Sequence, residues 1–279
     1  NNIGWATSNN PSKIYKSTDG GETWNIVRHT DGPISSVFFL NDSIGWYTDK
    51  DSYGCRLIGT TDGGTTWQQK FLGVYYSFDG LHFFNSLKGL AFGSFGAPAS
   101  GAFFKTSNGG YNWETTYVDF FPVCCFFIDS LTGWCGGFPI SGNSSILKTT
   151  DGGNTWLDFP SPFFDLIYKI HFFNSNSGWV LSGNDLYNTS NAGIIWNLNE
   201  SYINDFYFID QNNGWYVAGD KIYNSTDAGN SWNLQHSNNG KELYTISFKD
   251  INVGWACGDS GLVLRTLNGG IPVELTSFT

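Results

Sequence analysis

The sequence predicts an all-β protein, a seven-bladed β-propeller of four-stranded antiparallel blades, and three observations lead there. A short motif ending in Trp recurs at a spacing of about 40 residues, the period at which propeller blades repeat along a chain. A Gly-Trp pair, or in one copy Gly-Leu, stands ahead of each motif, and ahead of the last six of these lies an apolar stretch with a fixed Phe. Composition agrees: 35 Gly, 12 Trp, 14 Tyr and 24 Phe, with only 14% charged residues, describe short strands and tight turns rather than charged helices.

The motif is clearest at Ser17-Thr18-Asp19-Gly20-Gly21-Glu22-Thr23-Trp24, Thr60-Thr61-Asp62-Gly63-Gly64-Thr65-Thr66-Trp67 and Thr149-Thr150-Asp151-Gly152-Gly153-Asn154-Thr155-Trp156. Weaker copies centre on Asn108, Asn191 and Asp227 and end at Trp113, Trp196 and Trp232, and a truncated copy sits at Asn268-Gly269-Gly270. An Asp or Asn side chain accepts hydrogen bonds from backbone N–H groups two residues on and so folds a hairpin around itself, while the Gly pair supplies positive φ. The Trp is expected to bury its ring between neighbouring blades. These motif residues read as scaffolding.

The Gly-Trp pairs are Gly4-Trp5, Gly45-Trp46, Gly133-Trp134, Gly178-Trp179, Gly214-Trp215 and Gly254-Trp255, with Gly89-Leu90 as the variant. Upstream of the last six lies the Phe column, Phe39, Phe83, Phe127, Phe172, Phe208 and Phe248. Two residues earlier, on the same strand face, stand Val37, Leu81, Cys125, Ile170, Phe206 and Ile246. Cys125 in that column reads as a small buried hydrophobe. Each unit is therefore an apolar strand A, a turn with Asn or Asp, strand B from Gly-Trp, strand C ending in the motif, and strand D from its Trp.

These residues resemble the Asp-box (BNR) repeat family, and the paired signatures are most similar to propellers related to photosystem II assembly factors. The resemblance spans Gly4 to Gly270. It implies Asp-box hairpins and says little of activity, because the family holds sialidases, xyloglucan-degrading enzymes, sorting receptors and non-enzymatic binding proteins. The final Ile271-Pro272-Val273-Glu274-Leu275-Thr276-Ser277-Phe278-Thr279 resembles the linker ahead of the sorting region in type IX secretion cargo of Bacteroidota. That likeness implies a secreted or cell-surface protein. Asp42-Ser43-Ile44 and Asp129-Ser130-Leu131 resemble O-glycosylation acceptors of the same bacteria, making Ser43 and Ser130 candidates, although Asp-Ser is also ordinary turn chemistry.

Residues 1–270 are expected to form one domain whose first repeat lacks its inner strand and whose last is truncated. Residues 271–279 either begin the linker or supply a closing strand. The chain opens inside a repeat, so a leader and part of a blade are expected to precede it. Five cysteines without ligand spacing, Cys55, Cys124, Cys125, Cys135 and Cys257, suggest mostly buried free thiols.

A formal charge of −10 and a pI near 4.6 argue against nucleic acid as a partner. No apolar run approaches the roughly 20 residues of a spanning helix. Sialidase chemistry needs converging arginines, and only Arg28, Arg56 and Arg265 exist, on positions that keep them apart. A glycosidase needs two facing carboxylates; most acids belong to boxes or turns, leaving Asp49, Asp51, Asp119 and Asp165 free. His29, His82, His171 and His236 lack metal spacing, and His82 and His171 are equivalent in their repeats. No catalytic residue, metal or cofactor is assigned.

The A–B and C–D turns share one face of a blade, and the B–C and D–A loops share the other. The second face is irregular and carries Tyr53, Tyr75, Tyr76, Phe95, Phe138, Phe163 and Phe164, the candidate face for binding or assembly. The expected role is a non-enzymatic module that takes a protein or glycan there. A self-assembling subunit of an extracellular filament or layer is the alternative, and an Asp-box hydrolase is a further one.

Overall fold

The computed structural model describes residues 3–51, 54–74, 76–96, 100–139, 144–159, 161–163, 165–270 and 273–275. It is a seven-bladed β-propeller in which each blade is an antiparallel meander. The one helical element among the described residues is a 3-10 turn, Asp259–Gly261. The chain divides into two compact units, residues 1–166 and 167–279.

In unit 1, blade 1 has three strands, Gly4–Asn9, Ser12–Ser17 and Asn25–His29. Blade 2 has four: Ile34–Phe39 (A), Gly45–Asp51 (B), Gly54–Thr60 (C) and Gln68–Gly73 (D). Blades 3 and 4 follow the same order, with inner strands Tyr76–Phe83 and Phe120–Phe127. In unit 2, blades 5, 6 and 7 begin with Ile167–Phe172, Asp205–Phe208 and Leu243–Phe248. Residues 273–275 pair with Val263–Thr266, so the tail supplies the outer strand of blade 7.

Every four-stranded blade ends strand A on the Phe column and begins strand B on the Gly of the Gly-Trp pair or, in blade 3, of Gly89-Leu90. The two residues are cross-strand partners, as in Phe39↔Gly45 and Phe208↔Gly214. The glycine is there for space: a Cβ at Gly45 would fall 2.3 Å from the Phe39 ring, and the other five positions are as tight. A Phe ring lying flat over its partner leaves no room for any side chain.

That flattened ring is the seat of the next contact. Trp5 of blade 1 stacks on Phe39 of blade 2, and Trp46 of blade 2 on Phe83 of blade 3, both at 3.7 Å between centroids. In unit 2, Trp215 stacks on Phe248 at 3.7 Å and Trp179 on Phe208 at 4.9 Å. The motif Trp then meets the same Phe edge-on, as Trp67 does Phe39 and Trp232 does Phe208. The inter-blade burial expected of the motif Trp is thus shared, and the strand-B Trp takes the deeper share. Trp46, Trp134, Trp179 and Trp215 are buried, whereas the six motif tryptophans are half-buried.

Two expectations change at the cysteines and at the motif. Cys125 is half-buried and bonded to Cys135 across strands A and B of blade 4, with Cα atoms 4.1 Å apart. The register Phe127↔Gly133 places these two residues opposite each other, with side chains on one face. Cys55, Cys124 and Cys257 are not disulfide-bonded. In the six motif copies that end in Trp, the Asp or Asn accepts from the N–H four residues on rather than two; the two-residue reach is kept by Asn268, which accepts from Gly270, and by the A–B turns, where Asn41 accepts from Ser43 and Asp129 from Leu131.

Candidate functional site

On the turn face, one bonding scheme recurs. In blade 2 the Thr60 hydroxyl donates to Asp62 at 2.9 Å and accepts from Gly64 N–H, while Asp62 accepts Thr66 N–H at 2.9 Å and the Thr66 hydroxyl at 2.6 Å. Asp19, Asp151 and Asp227 repeat it with Thr23, Thr155 and Ser231. Asn108 and Asn191 keep the backbone bond, from Asn112 and Ile195, and Asn268 accepts from Thr266 and from Gly270 N–H. The hydroxyl and backbone donors hold the Asp62 and Asp151 carboxyls down at about 2. In blades 2 to 7 the residue after the motif Asp or Asn donates to the neighbouring A–B turn, as Gly63 does to the Ser43 carbonyl and Gly152 to Leu131, so the two turns of a blade are tied together. Ser43 and Ser130 lie exposed on these A–B turns.

On the loop face of unit 1, Arg56 gathers three carboxylates. It makes a two-pronged contact with buried Asp49 at 2.8 and 2.7 Å, and reaches Asp31 at 2.7 Å and Asp51 at 3.1 Å. Asp49 and Asp51, expected to be free, are therefore its partners, because the register of strands B and C puts Asp49 directly across from Arg56. Burial pushes the Asp49 carboxyl up while the guanidinium opposes it. Arg28, on strand Asn25–His29, donates to the buried Tyr47 hydroxyl, and Arg265 is buried in strand Val263–Thr266 of unit 2.

The aromatic residues expected on this face have mixed placements. Phe163 is buried, and Tyr76 packs among Phe71, Phe78, Phe95 and Phe104. Phe95 is half-buried, between Tyr76 and Tyr117. Phe138 is exposed and stacks on Phe121 at 5.1 Å. Tyr53, Tyr75 and Phe164 lie outside the described residues.

Unit 2 presents rings that sequence reasoning missed. Tyr168 and Tyr244 are the second residues of the inner strands of blades 5 and 7, and Tyr202 lies in the loop entering blade 6. They are 54%, 52% and 84% exposed. Tyr168 and Tyr244 both stand four residues before the Phe column, a signal that was available. Tyr202 has φ of 64°, a conformation that costs a non-glycine residue about 1 kcal/mol. The two residues that follow it are pinned: Ile203 exchanges hydrogen bonds with Asn184 of blade 5, and Asn204 N–H donates to the Val217 carbonyl of blade 6. Beside these rings, Asp205 links three blades, bonding Lys169 at 2.6 Å, the Thr245 hydroxyl at 2.7 Å and Ile246 N–H.

What the loop face offers is recognition chemistry: exposed phenol rings, fixed backbone and paired charges. Among the described residues there is no group of three or more His, Cys, Asp or Glu able to hold a metal ion. His82 and His171 lie against aromatic rings, and burial pulls both down to about 4, leaving them neutral. Among the described residues, no helix is long and apolar enough to cross a membrane.

No model of a known protein family matches the chain, and no curated protein matches it. Solved structures do. YCF48 bound to a D1 peptide superposes with a TM-score of 0.76 at 20% identity, over 95% of this chain and 90% of that one. YCF48 from Cyanidioschyzon merolae gives 0.74 at 23% identity, over 95% and 91%. A GH74 enzyme from Niastella koreensis is more distant, at 0.53 and 14% identity, over 96% of this chain and 62% of that one. At such identities the likeness is one of fold, and its structural neighbours include the photosystem assembly propellers that the repeat resembles.

Proposed function

We propose that this chain is a non-enzymatic binding propeller that seats a protein partner on its loop face. The observation that supports this most is the exposure of Tyr168, Tyr202 and Tyr244 on successive blades, with Tyr202 in a strained conformation just ahead of two residues bonded to blades 5 and 6. Backbone strain under a fully presented ring suits an interface anchor. The fold neighbour YCF48 is bound to a D1 peptide, which supports peptide recognition by a propeller of this kind without identifying a partner here. The tail resembling type IX cargo suggests a secreted or cell-surface setting, with Ser43 and Ser130 as acceptors for glycans. The test is selection of displayed peptides on the wild-type protein, followed by rebinding to a Tyr168→Ser, Tyr202→Ser, Tyr244→Ser variant. Recovered peptides should lose at least tenfold in affinity; peptides that bind both proteins equally would sink the reading.

A second reading, a self-assembling subunit of an extracellular filament or layer, is favoured by the outer strands. Leu72, Leu157, Leu198 and Leu234 are exposed on the strand-D edges of blades 2, 4, 5 and 6. Sedimentation of the native protein over a concentration series separates the two, since oligomers that disappear in a Leu157→Lys, Leu198→Lys variant belong to the second reading.

A further inference from the structure

One junction in unit 1 departs from the pattern of the others. At the junctions of blades 1–2 and 2–3, the strand-B indole reaches into the next blade's motif turn: a Cβ at Gly64 would fall 2.7 Å from Trp5, and Trp46 Nε1 donates to the Gly109 carbonyl at 3.2 Å. Across the strand from Trp5 stands Lys16, its ammonium 5.0 Å from the ring centroid and 2.6 Å from the Gly63 carbonyl. Lys148 sits over its own cross-strand partner, Trp134, also at 5.0 Å.

Blade 3 keeps the lysine and lacks the indole. The cross-strand partner of Lys105 is Leu90, which is fully buried with Phe127 and Cys135. Lys105 reaches instead to Asn154 in the motif turn of blade 4. Between the turns of blades 3 and 4 a cleft of about 770 Å³ opens, walled by Phe84, Trp113, Lys88, Lys105, Glu114 and Gly152 among others. Gly152 is the counterpart of Gly63 and Gly109, whose carbonyls accept from Lys16 and Trp46.

We infer that this cleft is a binding site for an aromatic side chain presented on an extended peptide, its ring lodging above Leu90 against Lys105 and the Gly152 carbonyl, the counterparts of groups that meet the protein's own indoles at the neighbouring junctions. Lys105 supplies the cation for the ring face, as Lys16 and Lys148 do for Trp5 and Trp134. Gly152 supplies a carbonyl where a ring N–H or O–H would arrive. Trp113 and Phe84 offer apolar surface, and Lys88 and Glu114, both exposed, meet the flanking peptide. The volume falls within the range of about 300–1,000 Å³ typical of ligand sites and exceeds one ring, so neighbouring residues fit as well. This site lies on the turn face, and it stands or falls independently of the loop-face reading.

The test uses N-acetyl-tryptophanamide as the probe, titrated into the whole chain and followed by saturation-transfer NMR. Saturable binding is expected, at least about tenfold tighter than that of N-acetyl-leucinamide, and about three- to tenfold weaker in Lys105→Ala. Binding should vanish in Leu90→Trp, which restores the missing indole. It should also vanish in Ser107→Trp, which blocks the cleft from an exposed wall position and leaves the core untouched. Absence of saturable binding, equal affinity for the leucine analogue, or binding that survives Ser107→Trp each overturns the proposal. So does a soluble glucan tetrasaccharide that occupies the cleft while the aromatic probe does not.

Discussion

Two adjacent junctions in unit 1 are built from the same parts and solve the same packing problem differently. Between blades 2 and 3, Trp46 lies flat on Phe83 with an interplanar angle of 2°, and Trp113 closes the ring from its edge. Between blades 3 and 4, Leu90 replaces the indole, His82 stacks on Phe127 at 5.0 Å and Trp156 closes the edge. The first junction is filled up to its turn surface. The second seals its core with a smaller side chain and leaves a cleft above it. A repeat that stabilises itself by one contact can release that contact at one position, and the released position is where a ligand has room.

The sharpest way to break this comparison is to convert one junction into the other. Trp46→Leu should cost about 2–3 kcal/mol, from lost apolar area and an incompletely closed cavity over Phe83. Chemical denaturation should show the loss as a lower midpoint with the slope retained. A cost below about 0.5 kcal/mol would mean that the strand-B indole does not hold the junction, and the contrast with Leu90 would lose its meaning.

The histidine at the second junction gives a smaller effect with a defined direction. Burial lowers the His82 pKa from 6.5 to about 4, so between these values an unfolded chain takes up a proton that the folded chain refuses. The stability from neutral His82 is therefore complete above about pH 6.5 and is lost as pH falls toward 4, by an amount on the order of 2–3 kcal/mol. His171 of unit 2 is lowered in the same way, chiefly by burial. His82→Phe keeps the stack on Phe127 without the titration. Thermal unfolding between pH 7 and 4.5 should be visibly flatter in this variant; identical profiles would remove His82 as the cause.

Much of this architecture is legible in the sequence because each feature of the repeat has one local cause. The Phe column needs glycine opposite, so strands A and B could be bounded to the residue from Phe39 and Gly45, or Phe248 and Gly254. What escaped was decided by register and by loop geometry. Cys125 meets Cys135, and Asp49 meets Arg56, only once opposing strands are aligned residue by residue. The aromatic residues of the unit 1 loop face were easy to see, yet Phe163 is buried and Tyr76, the first residue of its strand, packs among Phe71, Phe78, Phe95 and Phe104. In unit 2, Tyr168 and Tyr244 stand second in their strands and stay exposed, Tyr244 with its hydroxyl bonded to Asp259. Which ring finds aromatic neighbours is decided by the side chains around it, which apolar patterning does not report.

The same logic extends the comparison from ring seats to turns, with the smallest expected effect. In blades 2, 3 and 4 the first turn residue after the motif acid is Gly63, Gly109 or Gly152, with φ between 69° and 76°. In blades 5 and 6 the same position is Ala192 at 65° and Ala228 at 62°. Each alanine still donates its N–H across the turn face, Ala192 to Asn176 and Ala228 to Asn212, so the bond is kept and the left-handed strain is left in place. Ala192→Gly and Ala228→Gly should each relieve that strain, offset in part by the greater freedom of glycine in the unfolded chain. The expected net gain is about 0.5 kcal/mol apiece, additive because the two turns share no hydrogen-bonded partner. A rise of one or two degrees in melting temperature for the double variant would place these alanines beside Leu90 as departures that the repeat tolerates. A fall would mean that the alanine methyls make contacts worth more than the strain, and that unit 2 has refitted its turns around them.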